Sequence, residues 1–248
     1  MSKKERLDKL LVERGLAASR ERARALILAG LVVVGEHAVD KAGAQFPHDI
    51  PLRLKGKDIP YVSRGGLKLE KALDLFPVDV SGRIAMDVGA STGGFTDCLL
   101  QRGAAKVFAV DVGYGQLAWK LRDDARVVNL ERTNIRHLKA TQLETLPSLA
   151  VVDASFISLS HVLPATLSLL NSTAEVIALI KPQFEVGKGE VGKGGVVRDP
   201  EKHARVVEEI QALALSLGCT VLGVTESPIL GPKGNREFLI WLKKGESA

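Results

Sequence analysis

Apolar residues in the first 60 positions recur first at helical spacing and then in short stretches separated by turn residues. Leu7, Leu10 and Leu11 stand at positions i, i+3 and i+4. This spacing predicts an amphipathic helix over residues 5–14, which Gly15 ends.

A second helix is predicted over residues 20–29, between a candidate N-cap at Ser19 and a terminating Gly30. The apolar positions that follow are divided by turn residues and therefore predict strands. The predicted strands cover residues 31–34, 38–39 and 50–54, with a loop that contains Pro47 before the last one. Two helices and a few short strands predict a small α+β domain.

From about residue 62 onward, short apolar stretches alternate with longer segments that have helical spacing. This alternation is typical of an α/β fold with a largely parallel sheet. The predicted strands are 84–88, 106–110, 127–130, 149–153, 176–181, 220–226 and 237–243. The predicted helices are 94–102, 117–122, 159–170 and 200–217.

The composition is that of an ordinary globular protein, with 46% hydrophobic and 25% charged residues among 248. No apolar stretch approaches the ~20 residues that span a bilayer, and the charged start leads into no signal-peptide core. We therefore expect a cytoplasmic protein that does not enter the membrane. Cys98 and Cys219 are far apart in apolar surroundings and are expected to be buried thiols, without a disulfide framework or a metal site.

Positive charge is concentrated at the start of the chain. Residues 1–60 carry 12 Lys and Arg against 8 Asp and Glu, whereas the remaining residues carry 22 against 21. The predicted second helix places Arg20 and Arg24 on one solvated face, with Arg22 beside them and Arg14 on the first helix. Such a face is expected to contact the phosphate backbone of a nucleic acid.

The sequence from Arg6 to Gly30 resembles the RNA-binding domain of the ribosomal-protein-S-four type, in which a helix pair binds structured RNA. The resemblance implies that the first domain binds RNA. Arg64, just past the predicted linker, is expected to contact RNA as well. The complete set of predicted RNA-binding residues is Arg6, Arg14, Ser19, Arg20, Arg22, Arg24 and Arg64.

A glycine-rich turn follows the first strand of the second domain. Strand 84–88 runs into Gly89-Ala-Ser-Thr-Gly-Gly94 and then into a helix, so the backbone can approach a nucleotide closely. The glycines do not fall at the first, third and sixth positions that a pyrophosphate-binding turn requires. Asp87, directly before the turn, suits a cationic or amine-bearing ligand better than a pyrophosphate.

Residues 87–95, Asp-x-Gly-x-x-x-Gly-Gly-Phe, resemble the first motif of S-adenosylmethionine-dependent methyltransferases. Asp111 ends the next predicted strand, where a carboxylate can accept both ribose hydroxyls of an adenosine. Asn134, after the third strand, is expected near the adenine. The predicted cofactor-binding residues are Asp87, Gly89, Ser91, Gly93, Gly94, Phe95, Asp111 and Asn134.

Three charged residues stand at predicted strand ends. Asp153 and Lys181 each close a strand, and Glu237 begins the last one. Ligands bind at this edge of an open α/β sheet, and a lysine after an apolar strand needs carboxylate partners. Lys68, just past the predicted linker, is the fourth candidate.

Lys68, Asp153, Lys181 and Glu237 resemble, in order, the catalytic tetrad of FtsJ-like ribose 2′-O-methyltransferases. The whole chain is similar to the TlyA (haemolysin A) family, through the motifs that begin at residues 61, 87, 152 and 179. The resemblance implies that the protein methylates a ribose 2′-hydroxyl of ribosomal RNA, with S-adenosylmethionine as cofactor. We expect Lys181 to activate the hydroxyl and Asp153 and Glu237 to orient Lys181. Lys68 is expected either to stabilise the developing alkoxide or to hold the adjacent phosphate.

The resemblance also implies a Rossmann-like methyltransferase domain behind a small RNA-binding domain. The expected boundaries are residues 1–57 for the RNA-binding domain, 58–63 for a linker and 64–248 for the methyltransferase domain. Ribosomal RNA or a ribosomal subunit is the expected partner, with no metal and no membrane. The alternatives are a haemolysin-like membrane-active protein and a catalytically silent RNA-binding factor of ribosome assembly.

Overall fold

The computed structural model describes residues 4–17, 19–28, 30–55, 59–187 and 189–245. The chain divides into two compact units, Met1–Pro60 and Tyr61–Ala248. Ala29, the expected last residue of the second helix, lies outside the described residues, as do residues 57 and 58, where the predicted linker begins.

The first unit is a small α+β fold, as predicted. Strand β1 (Lys4–Arg6) pairs antiparallel with β4 (Gln45–Pro47), and a second sheet has the order β3-β2-β5. Two helices pack on these strands through Leu7, Leu11 and Ile27, which are fully buried. The remaining elements are helices α1 (Leu7–Glu13) and α2 (Arg20–Leu28) and strands β2 (Val32–Val34), β3 (His37–Ala38) and β5 (Leu52–Leu54).

The prediction that the first helix starts at residue 5 is wrong. Glu5 and Arg6 belong to β1, because they pair with Phe46 and Gln45 of a strand that the sequence did not indicate. Pro47 ends that strand, a position that proline tolerates because it has no backbone N–H to give to a ladder. Pairing between distant segments therefore overrode the helical pattern at this end.

The arginines of the first unit converge on one buried carboxylate. The Asp8 side chain is fully buried and accepts hydrogen bonds from Arg6 at 2.9 Å, from Arg20 at 3.1 Å and from Arg24 at 3.2 Å. The Arg6 guanidinium, assisted by the other two, holds the pKa of Asp8 well below its usual range. Arg20 and Arg24 share a face as predicted, but Asp8 fixes their direction.

The second unit contains a seven-stranded sheet with the order β11-β12-β10-β9-β6-β7-β8. Strands β6 to β10 are parallel, and β12 runs antiparallel to both of its neighbours. The strand order reverses between β6 and β9, which is where ligands bind in such sheets. The strands are β6 (Ile84–Val88), β7 (Lys106–Val110), β8 (Val127–Leu130), β9 (Leu149–Val152), β10 (Glu175–Ile180), β11 (Cys219–Glu226) and β12 (Phe238–Lys244).

Helices cover both faces of this sheet, so the predicted α/β fold class is confirmed. Alternate residues of β9 serve two cores: Ala150 and Val152 pack with one set of helices, and Leu149 and Val151 with the other. The helices are α3 (Gly65–Leu75), α4 (Gly94–Gln101), α5 (Trp119–Arg122), α6 (Leu159–Ser168), α7 (Pro182–Glu185) and α8 (Pro200–Ser216). The sequence predicted neither α3 nor α7.

Both cysteines are buried free thiols, as expected. Among the described residues, no helix combines the length and the apolar character that crossing a bilayer requires. Tyr61 and Val62, which fall in the predicted linker, are held inside the second unit. The Tyr61 hydroxyl donates to Glu70 at 2.8 Å, and the Val62 N–H donates to Asp97 at 2.8 Å.

We predict that Asp8→Asn lowers the free energy of unfolding of the first unit by about 1–3 kcal/mol at pH 7, because charge-assisted hydrogen bonds are lost. The folded-state pKa of Asp8 is lowered, so its contribution is present above about pH 4 and fades as the pH falls further. Urea unfolding of the full chain at pH 7 and pH 3 measures both effects. Asp40→Asn, an exposed carboxylate in the same unit, is the matched control, and equal stability of the two variants would contradict the prediction.

Candidate active site

The turn between β6 and α4 is shaped by glycines. Gly89 has φ +87°, and a Cβ there would lie 2.8 Å from the carbonyl oxygen of Asp153. Gly93 has φ +93°, and a Cβ there would overlap a methyl carbon of Leu121. Both glycines are required by their positive φ and by close neighbours. Gly93 thus packs against α5, whereas Gly89 lines the cleft beside the turn.

Asp87 is fully buried at the end of β6. Its Oδ2 accepts hydrogen bonds from the Thr96 N–H at 2.9 Å and from the Thr96 hydroxyl at 2.7 Å, which fixes the start of α4. Its Oδ1 has no hydrogen-bond partner, and the residue lines the cleft. Burial raises the pKa of Asp87 to about 7. An unpaired buried carboxylate oxygen facing a cleft fits a cationic group of a ligand.

Two adjoining pockets form the cleft, with volumes of about 470 and 550 Å³. They share Gly89, Ser91, Asp153 and Ser155. Ser63, Arg64, Gly94 and Phe95 line the first pocket, and Asp111, Val112, Asn134 and Ile135 line the second. The structure therefore brings the predicted cofactor-binding residues to one cleft, except Gly93, which supports the turn from behind.

Asp111 is held in place at the end of β7 by backbone donors. Its Oδ2 accepts from the Ser91 N–H at 2.7 Å, and its Oδ1 accepts from the Gly113 N–H at 2.7 Å. A carboxylate oxygen has room for a second donor, so Asp111 keeps acceptor capacity toward the cleft. Asn134 accepts from the Arg136 N–H at 3.1 Å and thereby caps the next turn.

The four predicted tetrad residues lie together at the cleft. Asp153 is the bridge: its Oδ1 lies 2.5 Å from Lys181 Nζ, and its Oδ2 lies 3.9 Å from Lys68 Nζ. Lys68 also forms a 2.6 Å ion pair with Glu237. The side chains of both lysines are less than a tenth exposed. Two buried cations and two carboxylates balance each other, as buried charges require.

The predicted partner of Glu237 is wrong. Glu237 was expected to orient Lys181, but it contacts Lys68, and Gly231 packs directly against its carboxylate. The second partner of Lys181 is Ser155, whose hydroxyl accepts from Lys181 Nζ at 2.8 Å. The sequence did not indicate Ser155. Its place two residues after a strand-end aspartate, at the cleft edge of the sheet, was the available signal.

Helix α3 carries Lys68 into the site. Leu69, Ala72 and Leu73 bury one face of this helix, and Phe76 continues the pattern just past its end. That spacing predicts a helix, and it lies in the sequence where no element was expected. The helix explains how a residue next to the predicted linker comes to lie at the carboxyl ends of distant strands.

The predicted RNA-binding residues of the first unit are largely ordered. Besides the three arginines on Asp8, Arg14 donates to the backbone carbonyls of His48 and Ile50. Ser19 caps α2, since its hydroxyl accepts from the Arg22 N–H at 3.1 Å. In the second unit, Arg64 donates to the Leu230 carbonyl at 3.4 Å and lines the cleft. Their contact with RNA stays a prediction.

Comparison with known proteins gives two family matches. A model described as FtsJ-like methyltransferase matches residues 61–244, and one described as S4 domain matches residues 5–46. The two matched ranges fall on opposite sides of the division between the two compact units. They confirm the resemblance that the sequence motifs indicated.

Similar proteins extend over nearly the whole chain. The Mycobacterium tuberculosis 16S/23S rRNA (cytidine-2′-O)-methyltransferase TlyA is 50% identical over 98% of this chain and 91% of its own length. Bacillus subtilis YqxC, which is described as a proposed rRNA methyltransferase, is 53% identical over 97% of this chain and 86% of its own length. A solved structure from Streptococcus thermophilus, described as a proposed hemolysin, is 47% identical, covers 100% of this chain and 90% of its own, and superposes with a TM-score of 0.79. The chain therefore belongs to the FtsJ-like methyltransferase family and carries an S4 domain at its amino-terminal side.

Proposed function

We propose that this protein transfers the methyl group of S-adenosylmethionine to a ribose 2′-hydroxyl of ribosomal RNA. The observation that carries the proposal is the cluster of Lys68, Asp153, Lys181 and Glu237 beside the glycine turn. The relative that methylates a cytidine 2′-oxygen of 16S and 23S rRNA supports a cytidine as the target. A cytoplasmic location follows from that substrate.

The second pocket and the turn suit the cofactor. When bound, S-adenosylmethionine supplies a methyl group on a positively charged sulfur, which an oxygen nucleophile attacks in line. Asp87 offers its unpaired oxygen to the positive charge of the ligand, and Asp111 offers acceptors to the ribose hydroxyls. The apolar Val112 and Ile135 line the same pocket and suit an adenine ring, with Asn134 beside them.

A ribose hydroxyl is a weak acid, so the attack requires a group that removes its proton. Lys181 is our candidate, because it lines the first pocket and ends β10 at the sheet edge. To act as the acceptor, Lys181 must first release its own ammonium proton to solvent, which leaves the four-residue cluster with one negative charge in excess. Accepting the hydroxyl proton restores the balance, and Asp153 then lies 2.5 Å from the ammonium that forms.

Lys68 is our candidate for stabilising the developing negative charge on the ribose oxygen. Its ammonium is fixed by Glu237 at 2.6 Å and lies 3.9 Å from Asp153, so it is oriented before substrate binds. Preorganised charge of this kind is more effective than a group that must reorient during the reaction. Asp153 and Glu237 thus each position one lysine.

Each unit offers exposed cations to RNA. The arginines that surround Asp8 remain partly exposed, with Arg20 and Arg24 about half accessible. Their common carboxylate holds them in fixed directions, which lowers the entropy that ordering them on a phosphate would otherwise cost. Arg64, at the mouth of the cleft, is the matching cation of the catalytic unit.

The experiment that tests the function uses tritium-labelled S-adenosylmethionine with separated ribosomal subunits and with their extracted RNA. The proposal predicts label in RNA that depends on the protein. No label in any RNA would overturn it. Dye release from liposomes by the protein without cofactor would support the membrane-active alternative instead.

We predict that Lys181→Ala abolishes methyl transfer while cofactor binding survives, because Lys181 lies at the reacting end of the cleft and not in the second pocket. Turnover with labelled cofactor and binding by calorimetry are the two measurements. Retained activity in Lys181→Ala would defeat the assignment of Lys181 as the proton acceptor. The control is Lys243→Ala, because Lys243 is exposed near the end of β12, at the edge of the sheet opposite the cleft.

Ser155 is assigned as a positioning residue, because it accepts a 2.8 Å hydrogen bond from Lys181 and lines both pockets. Ser155→Ala should lower kcat by about 10-fold or more, which corresponds to one charge-assisted hydrogen bond, with cofactor affinity unchanged. Ser155→Thr keeps the hydroxyl and should restore most of the rate. Equal rates for the alanine and threonine variants would show that the hydrogen bond to Lys181 does not matter.

We predict that affinity for the cofactor rises with pH up to about 7, the pKa to which burial raises Asp87. A cation beside Asp87 favours its ionised form, so binding below pH 7 releases a proton, and affinity falls by up to about tenfold per pH unit of acidification. Calorimetry between pH 5.5 and 7 measures this slope. Asp87→Asn should bind weakly with a flat profile, whereas the exposed-site control Asp79→Asn should follow the wild type; a flat wild-type profile would contradict the prediction.

A further inference from the structure

An exposed aromatic–arginine pair stands on the rim of the cleft. Tyr114 follows β7 and Arg132 follows β8, and the guanidinium carbon of Arg132 lies 4.0 Å from the centre of the Tyr114 ring. Tyr114 is 68% exposed. The cofactor assignment uses neither side chain: their neighbours Gly113 and Thr133 line the second pocket, but Tyr114 and Arg132 do not.

The backbone holds this pair in position. The Arg132 N–H donates to the Gly113 carbonyl at 2.9 Å, and the Thr133 N–H donates to the Asp111 carbonyl at 2.9 Å. Arg132 has φ +53°, a left-handed conformation that is uncommon for a residue with a side chain. The two loops are therefore tied to each other and to the strand end that carries Asp111. The backbone positions from which the two side chains extend are therefore fixed relative to the cleft.

The two segments that carry this pair are also rich in positive charge. Segments 112–122 and 132–143 contain five Lys and Arg and no Asp or Glu, in a unit whose totals are nearly balanced. Lys120 and Arg122 are paired with carboxylates outside these segments. Arg132, Arg136 and Lys139 are exposed, and among the described residues none of them forms a salt bridge. The segments that carry Tyr114 and Arg132 thus suit a polyanion with flat, apolar groups.

We infer that Tyr114 and Arg132 form a stacking site for an unpaired base of the RNA substrate, next to the nucleotide that enters the cleft. This inference rests on the proposed function, since it takes RNA as the substrate. Single-stranded RNA offers base faces that stack on aromatic rings and guanidinium planes. Arg136 and Lys139 supply cations for the adjoining phosphates. The site would hold the strand that flanks the target and so align the target ribose with Lys181.

The test measures methyl transfer by the full chain to the ribosomal subunit that the wild type labels, together with cofactor affinity by calorimetry. Tyr114→Ala should raise KM for the subunit by about 5- to 100-fold, the range found for loss of one base–aromatic stack, with cofactor affinity unchanged. Tyr114→Phe keeps the ring and should resemble the wild type. Arg132→Lys keeps the charge without the planar group and should lose part of the affinity.

Lys243→Ala removes one exposed positive charge at the opposite edge of the sheet and should leave KM unchanged. If Tyr114→Ala weakens cofactor binding as much as it weakens RNA use, the pair belongs to the cofactor site and the inference is wrong. An unchanged KM overturns it as well. If the wild type labels no RNA, the proposed function fails. The stacking site is then tested by the binding of a short fluorescein-labelled oligocytidylate to the wild type and to Tyr114→Ala. Equal affinities overturn the stacking site, and a lower affinity of the variant supports it.

Discussion

Asp153 is the residue on which the geometry of the catalytic unit depends. Its carboxylate contacts Lys181 and reaches toward Lys68, while its backbone carbonyl lies against Gly89, where no Cβ fits. The proposed proton acceptor, the second cation and the cofactor turn therefore share one point of attachment at the end of β9. A shift of that strand end would move all three together, so their relative positions are set by the sheet rather than by flexible loops.

The buried charges of the site are stable only because each of them has an opposite charge beside it. Lys68, Lys181 and Glu237 are almost completely withdrawn from solvent, and any one of them left without its partner would carry the full cost of desolvation. In the first unit the buried charge is a single carboxylate, Asp8, and its partners are three partly exposed arginines. The catalytic cluster matches two lysines with two carboxylates at the cleft, whereas the arginine cluster keeps an excess of positive charge that faces solvent.

The strands of the second unit could be predicted to within one residue. The central ones are buried on both faces and are therefore continuous apolar stretches bounded by polar residues. The identity of the tetrad also followed from sequence, since strand ends at one edge of a sheet converge. The pairing of Asp153 with Lys181 was predicted as well. The partner of Glu237 was not, because which side chains meet depends on their positions in three dimensions: Glu237 meets Lys68, and Ser155 is the second partner of Lys181. In the first unit, the apolar residues of α1 have helical spacing, so the sequence predicted a helix where β1 lies. The partner strand of β1 is some forty residues away in the sequence, so a local pattern does not indicate it.

In the proposed function, the cluster at Asp153 activates a ribose hydroxyl and not a base. The most direct measurement is mass spectrometry of the nucleosides obtained by complete digestion of ribosomal RNA that has been incubated with the protein and S-adenosylmethionine, with the Lys181→Ala variant as the blank. A 2′-O-methylnucleoside that appears only with the wild type, with the added methyl retained on the sugar fragment, is the expected result. A methyl group on the base fragment, or the same product with Lys181→Ala, would contradict it.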